Sequence, residues 1–361
     1  MSFSLTGLFK NIKKTTVAPI DRVVGIDFGS SSIKVVELEK KDSFVALKTY
    51  GELQLGPYGE QALGAYAELL PEQQTQALVD VMRESGVAGQ AGVLALPLND
   101  SFVTIIKINA RADEDITPRI KVEARKYIPI PLNEVSLEWT ELLPYKDQPK
   151  TEREVLVAAV QNEAYQQTNT LLQSVGLASQ PTEIEMFCSQ RALTTEATTT
   201  TMIIDFGALT CKSYIVKDGM IRKLHRVFSG GVKLTQLLAQ QTNVSFEIAE
   251  NAKRHNGAAG ITADQVKAAT EEVFTRALQE FKRVLVQFET DHSILVGDIV
   301  VTGSSVANPH LLGLTTTILD RKPTVANPFE KIAYPAFMED TLKDIAPTFG
   351  VALGAALRSF T

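Results

Sequence analysis

A chain of 361 residues, 44% apolar and 22% charged, can bury a sizeable core and divides naturally into two or more compact units. Its net charge of −6 argues against nonspecific nucleic-acid binding, which needs a basic surface to neutralise phosphates. No apolar run approaches the ~20 residues that cross a bilayer and no long apolar block opens the chain, so a cytoplasmic protein is expected. Cys188 and Cys211 lack metal-ligand spacing and read as free, partly buried thiols of a reducing compartment.

In chain order, residues 1–20 place Leu5, Leu8, Phe9 and Ile12 at helical spacing with Lys10, Lys13 and Lys14 on other faces. This amphipathic segment is either a membrane-surface or partner contact or a tail packed on the domain. Residues 22–55 alternate like three antiparallel strands, 72–85 read as a helix stopped by Gly86, and "AGVLALP" as a buried strand ending at Pro97. A different grain follows. The strand "FVTIIKI", the helix "PRIKVEARKYI" closed by Pro129 and Pro131, and the strands "VSLEWTELL" and "REVLVAAV" suit a small α+β unit inserted at 99–165.

The first lobe is thus expected at 21–98 and 166–200, with the threonine-rich stretch "TTEATTTT" before the second lobe at 201–361. There "SYIVKDGMIRKLHRVF" forms a meander turned at Asp218-Gly219. Helices follow in a subdomain of about 236–294, then the buried strand "DIVVTG" and an apolar C-terminal helix. Both halves repeat one plan of acidic turn, meander, helix, strand and helix, as a duplicated α/β unit does.

The repeat is sharpest at the acidic turns. "GIDFGSSSIKVVEL" from 25 to 38 returns as "IIDFGALTCKSYIV" from 203 to 216, with Asp27 and Asp205 in equivalent places, 178 positions apart (205 − 27). A glycine at the end of an apolar strand lets the backbone turn and aim successive N–H groups at one anion, and Ser30, Ser31 and Ser32 add hydroxyls. Such charge-assisted bonds contribute roughly 1.5–3 kcal/mol each. An aspartate beside phosphate is tolerable only through a cation, and Mg²⁺ with its waters is the usual one. Two facing turns would grip a polyphosphate and its metal from both sides. The D-F-G triplets do not indicate a protein kinase, because the G-x-G-x-x-G loop and the H-R-D element are missing.

The paired motifs resemble the two phosphate loops of the actin-like, sugar-kinase and Hsp70 ATPase superfamily. "PTEIEMFCSQRAL" resembles its first connecting helix, "SFEIAENAKRH" the helix whose Glu and Lys touch the ribose, "VVTGSSVANPHLLGL" the adenosine motif and "APTFGVALGAAL" the second connecting helix. Within the superfamily, "VGIDFGSSSIKVVEL", "EARKYIPIPLNEVSL" and "EIEMFCSQRAL" resemble the PilM family of type IV pilus assembly. The resemblance implies an α/β fold of two lobes, the duplicated ribonuclease H-like actin fold, with the small inserted subdomain that PilM and FtsA share. It implies ATP and Mg²⁺ as ligands. Asp27 and Asp205 would hold the hydrated metal, and Gly29, Ser30, Ser31, Ser32, Gly207, Ala208, Leu209 and Thr210 would cradle the phosphates. Lys34 faces either the phosphate or solvent. Gly230 and Gly231 open a helix whose N-terminus faces the nucleotide or simply make a tight turn. Glu250 and Lys253 would reach the ribose and Gly303, Ser304 and Ser305 the adenosine, although two adjacent glycines are usual in that motif.

Glu185 is the candidate for placing an attacking water, with a surface or salt-bridged glutamate as the alternative, and the resemblance to the PilM family implies weak or absent ATP turnover. The implied partner is the N-terminal cytoplasmic peptide of a PilN-like single-span inner-membrane protein, lying in a groove between the first lobe and the insert. Tyr127, Ile128, Ile130 and Leu132 line that groove or fill the insert's own core. Cytoplasmic pilus motors and self-association are further implied contacts, with localisation at the inner membrane through partners. The alternatives are an FtsA-like filament-forming division protein and a small-molecule kinase of the same superfamily.

Overall fold

Apolar runs on either side of each acidic turn become paired antiparallel strands. The computed structural model describes residues 21–111, 113–194, 199–258 and 260–360; the amphipathic reading of residues 1–20 falls outside them. The first meander is β1 (Arg22–Phe28), β2 (Ser32–Lys41) and β3 (Phe44–Gln54), followed by α1 (Pro71–Glu84) and β4 (Ala91–Leu96). The inserted unit holds β5 (Ser101–Asn109), α2 (Thr117–Ala124), β6 (Val135–Glu141) and β7 (Glu152–Gln161). The chain then returns through α3 (Asn162–Ser174) and the short β8 (Ala178–Ser179) and β9 (Glu183–Ile184) to α4 (Glu185–Leu193).

The second half repeats the plan with β10 (Thr201–Phe206), β11 (Cys211–Lys217) and β12 (Met220–Val227). Three helices follow, α5 (Gly231–Thr242), α6 (Phe246–Arg254) and α7 (Ala263–His292), then β13 (Asp298–Thr302), α8 (Pro309–Leu319), β14 (Thr324–Val325), α9 (Glu339–Ile345) and α10 (Gly350–Leu357). Asp218 and Gly219 both take positive φ (54° and 70°), the type I′ geometry that matches strand twist at the β11–β12 hairpin.

The two large sheets have one topology. The first runs β3-β2-β1-β4-β8, with β9 also on β4, and the second β12-β11-β10-β13-β14. In each, the meander is antiparallel and the next strand parallel. This is the two-lobed actin-like fold. On the first sheet, Val24, Ile26, Ile33 and Val35 face α1 and α3 through Leu78, Val81 and Leu172, while Val36 and Leu38 face α10. On the second, Met202, Ile204 and Phe206 face α5 and α7, while Ile203 and Tyr214 face Met186 and Phe187 of α4. Each such large apolar side chain contributes about 1.5–3 kcal/mol when fully buried.

The chain passes between the lobes by exchanging helices. Helix α4 lies between the sheets, with Met186 and Phe187 on Ile203 and Tyr214 of the second and Cys188 on Val23, Val93 and Ala95 of the first, and α10, at the end of the second half, lies on β1 and β2. The sequence reading set the second lobe at 201–361, a range that includes α10, and read α10 as resembling a connecting helix. Small residues allow the exchange: a β-carbon on Gly354 of α10 would stand 1.9 Å from the Cys188 carbonyl oxygen of α4, so only glycine lets the backbones meet. Glu183 sits beneath the crossing with 1% of its side chain exposed and pairs with Arg191 of α4 and, at 2.7 Å, with Arg358 after α10.

The insert is a three-stranded antiparallel sheet, β5-β7-β6. One face carries α2 through Ile106, Val157 and Ile120, and the other, through Val103, Leu156 and Val160, spreads over Leu98, Phe187, Tyr214 and Ile221 of both lobes.

Candidate functional site

The duplicated meanders set two identical turns at one cleft. Asp27 pairs with Lys34 across the first hairpin and Asp205 with Lys212 across the second. Gly29 N donates to Ser32 O and Gly207 N to Thr210 O, each at 3.0 Å. Both turns, Ser189 and Glu185 of α4, Thr302 to Ser304 at the end of β13, and Thr348 before α10 line one narrow cleft of about 90 Å³. A continuation of about 170 Å³ runs past Ser31, Gly231, Glu250, Lys253 and Ser305. Pockets for ligands of drug-like size usually span ~300–1,000 Å³, so the lobes stand close together here.

The cleft floor is charged and crowded. Asp27 is half-buried, and burial raises its carboxyl to about 6 against the pull of Lys34, with Glu185 and Asp205 adding to the rise. Lys34 is buried and lies on the cleft side, donating to Ser32 Oγ at 2.7 Å and standing 3.5 Å from Glu52. Lys212 lies 3.1 Å from Asp205 and donates to Glu185 Oε2 at 2.7 Å. Burial works against its charge, but Glu185 and Asp205 outweigh it and hold the ammonium well above the usual lysine range.

Several sequence-predicted residues carry other bonds as well. Glu185 Oε1 accepts from Leu98 N at 2.8 Å, so the salt-bridged alternative describes it and both oxygens already have protein donors. The first N–H groups of α5 do not open toward the cleft: Gly231 N donates to Gly207 O at 3.1 Å and Val232 N to Ala208 O at 2.9 Å, tying the helix to the second turn. The tight-turn alternative therefore fits Gly230 and Gly231, because the turn's own carbonyls are the nearer acceptors.

Glu250 accepts from Thr235, Lys253 and Arg254, at 2.6, 2.5 and 2.8 Å, and sits buried at the cleft continuation. Burial opposes its ionisation, but these three donors hold the carboxyl below its usual range. In the adenosine turn, Gly303 takes φ +98°, Ser304 faces the cleft, and Ser305 is buried with Oγ donating to Gly207 O at 3.3 Å. Thr302 Oγ1 and Gly303 N both donate to Pro347 O, fastening this turn to the segment before α10.

The four insert residues separate. Ile128 is buried and Ile130 and Leu132 pack on the insert's own core, whereas Tyr127 is exposed. Leu132 borders a groove beside Lys121, Arg125 and Trp139. Lys212, absent from the sequence-predicted set, had a legible signal in the repeated spacing of an acid and a lysine seven positions on.

The donors fit a hydrated cation. Among the described residues no three acids or imidazoles converge into a bare-ion cage, and Asp27 and Asp205 enter the cleft from opposite lobes, as carboxylates that meet a cation through its waters would. No helix among the described residues is long and apolar enough to cross a membrane.

Comparison with known proteins accords with this geometry. The chain is similar to the solved structure of a PilM-PilN type IV pilus biogenesis complex at 24% identity, covering 95% of this chain and 100% of that one, with a TM-score of 0.79. It is similar to ethanolamine utilization protein EutJ from Carboxydothermus hydrogenoformans at 14% identity over 94% and 92% of the two chains, with a TM-score of 0.53. MreB5 of Spiroplasma citri bound to ADP aligns at 10% identity over 95% and 96%, with a TM-score of 0.50. The family model for type IV pilus assembly protein PilM matches residues 25–360, and the chain therefore belongs to that family.

Proposed function

We propose that the protein is an ATP-binding scaffold of type IV pilus assembly that docks the cytoplasmic peptide of a PilN-like inner-membrane protein and connects that platform to the pilus motors. The observation that carries the nucleotide half is the repeated turn: one acid, one lysine and one glycine bond in the same register on both lobes, facing one cleft. The similar MreB5 structure has ADP bound, and the similar PilM structure is a complex with PilN.

On this reading Gly29 to Ser32 and Gly207 to Thr210 hold phosphate oxygens by N–H and hydroxyl donation, and Lys34 adds charge from the cleft side. Asp27 and Asp205 orient the waters of Mg²⁺, which when bound offsets phosphate charge. Turnover is slow, because Glu185 is held by the Leu98 N–H and its charge is neutralised by Lys212, which weakens it as a group to direct an attacking water. The narrow cleft requires the lobes to part for entry. Self-association and recruitment to the cytoplasmic face of the inner membrane belong to the same reading.

Calorimetric titration of Mg²⁺-ATP into the parent, Asp27→Ala and Asp205→Ala tests it. Binding that each substitution weakens about tenfold or more, ~1.4 kcal/mol, is expected. Well-folded parent protein that binds no nucleotide would leave a fold retained for protein contacts alone.

A further inference from the structure

The two acidic turns match strand for strand, but the third strands behind them differ. In the first meander Lys34 stands opposite Glu52 of β3, and in the second Lys212 stands opposite Arg226 of β12. Residues directly opposite on neighbouring antiparallel strands share one face of the sheet. The duplicated plan therefore sets an acid beside one cleft lysine and a base beside the other.

The two lysines are held differently. Lys212 is fixed at the cleft floor by two close carboxylates, Glu185 at 2.7 Å and Asp205 at 3.1 Å, while Arg226 donates to Asn99 Oδ1 at 2.6 Å and lies over the Phe228 ring. Lys34 donates to Ser32 Oγ at 2.7 Å, and Glu52 stands 3.5 Å from its ammonium, in charge contact but beyond a good hydrogen bond. An ammonium carries three donors, so Lys34 keeps capacity for a further oxygen.

Its position makes that capacity usable. Ser32 lines both the narrow cleft and its continuation, whereas Lys34 lines the former and Glu52 the latter. The lysine thus stands at the junction, with the carboxylate to one side and the phosphate cleft to the other. All three residues belong to the first lobe, and Leu55 N donates to Ser31 O at 2.9 Å, tying the end of β3 to the first turn. Their spacing does not depend on how far the lobes part.

We infer that Glu52 is a positioning residue of the nucleotide site: it holds the Lys34 ammonium before nucleotide enters and competes with phosphate for it. The inference rests on the nucleotide-binding reading. A phosphate oxygen at hydrogen-bond distance is a stronger partner than a carboxylate at 3.5 Å, so the lysine passes to the ligand. Glu52, with 30% of its side chain exposed, is then left to water. Losing that ion pair opposes binding and sets the affinity below what the two turns alone would give. Lys212, bound closely by two acids, stays in place.

Calorimetry of the full chain tests this with Mg²⁺-ATP and with adenosine, in the parent, Glu52→Gln, Lys34→Met and the double variant. Glu52→Gln keeps the shape of the side chain and is expected to tighten Mg²⁺-ATP about fivefold, a gain that damage to the fold does not produce. Adenosine, which carries no phosphate, should bind the parent and Glu52→Gln alike. In the Lys34→Met background the same substitution should change ATP affinity by less than about twofold, because the acid has no ammonium left to hold. An equal gain in both backgrounds overturns the inference, since the acid would then repel phosphate directly. An equal gain for adenosine also overturns it, as does unchanged or weaker ATP binding in well-folded Glu52→Gln. In those cases the parent still binds ATP and the nucleotide reading stands. Failure of both the parent and Glu52→Gln to bind ATP overturns the two together.

Discussion

Lys212 donates to Glu185 Oε2 at 2.7 Å, joining the second hairpin to the first turn of α4, and its ammonium also lies 3.1 Å from Asp205. Replacing it by methionine strands two buried carboxylates beside each other. Removing one partner from a buried ion pair typically costs ~3–5 kcal/mol, so Lys212→Met is expected to lose about that much in EDTA. Millimolar Mg²⁺ should restore part of the loss, because a divalent cation can occupy the space between the acids. Urea denaturation in the two media checks this, and an equal loss in both would exclude such an exchange.

Asp27 makes the unliganded protein sensitive to pH. Its folded carboxyl titrates at about 6, above the ordinary 3.8, chiefly through burial, so the folded state binds the proton more tightly than the unfolded state does. Stability is therefore greatest below the ordinary value and falls as pH rises through about 6; two units correspond to ~3 kcal/mol. In EDTA at neutral pH, Asp27→Asn should exceed the parent by an amount approaching this. The gap should close as pH is lowered toward 4. Denaturation curves across that range measure it; a gap independent of pH would assign the effect to something other than this carboxyl.

Gly303 admits no side chain. With φ at +98°, a β-carbon would fall 2.4 Å from Asp205 Oδ1 and 2.6 Å from the Phe206 carbonyl oxygen. Gly303→Ala is expected to cost ~1–3 kcal/mol in strain and to weaken Mg²⁺-ATP about tenfold by displacing Asp205. Ser304→Gly, beside it and exposed, should leave stability within ~0.5 kcal/mol. Melting curves and calorimetry of both variants compare the positions directly.

Glu183 accepts from two arginines at the helix crossing, Arg191 and Arg358. Glu183→Gln removes the buried carboxylate charge that both arginines donate to and is expected to lose ~3–5 kcal/mol. Arg358→Ala should cost less, because Arg191 still neutralises the carboxylate. Equal losses in the two variants would mean that the pairings are not independent.

Local signals carried much of this architecture and distant ones did not. Alternating apolar residues and glycine punctuation marked the meanders, and Asp218-Gly219 marked the hairpin, because each pattern depends on immediate neighbours. The return of α10 to the first sheet was not legible, since an apolar helix does not state which sheet it covers. Glu183 and Arg358 are 175 positions apart, and nothing in either segment names the other. Arg222 lies in a strand whose alternation gives no sign that the fold sets it, buried, between Asp218 and Glu154. Gly230 and Gly231 read either as a helix N-terminus facing a phosphate, because such an end attracts anions, or as a tight turn, and the sequence does not choose between them. The acceptors of the Gly231 and Val232 N–H groups are the carbonyls of Gly207 and Ala208, a contact that only the fold supplies.

The crossing of α4 and α10 has a mechanical consequence. Where Gly354 passes the Cys188 carbonyl, the two backbones meet directly, like the blades of scissors at a rivet. A few degrees of turning at such a point costs little repacking, yet the motion is magnified at the rim, where Gly64 of one blade rests against Glu250 of the other. A single methyl group added at 354 would jam the rivet, and its effect would be largest at the tips.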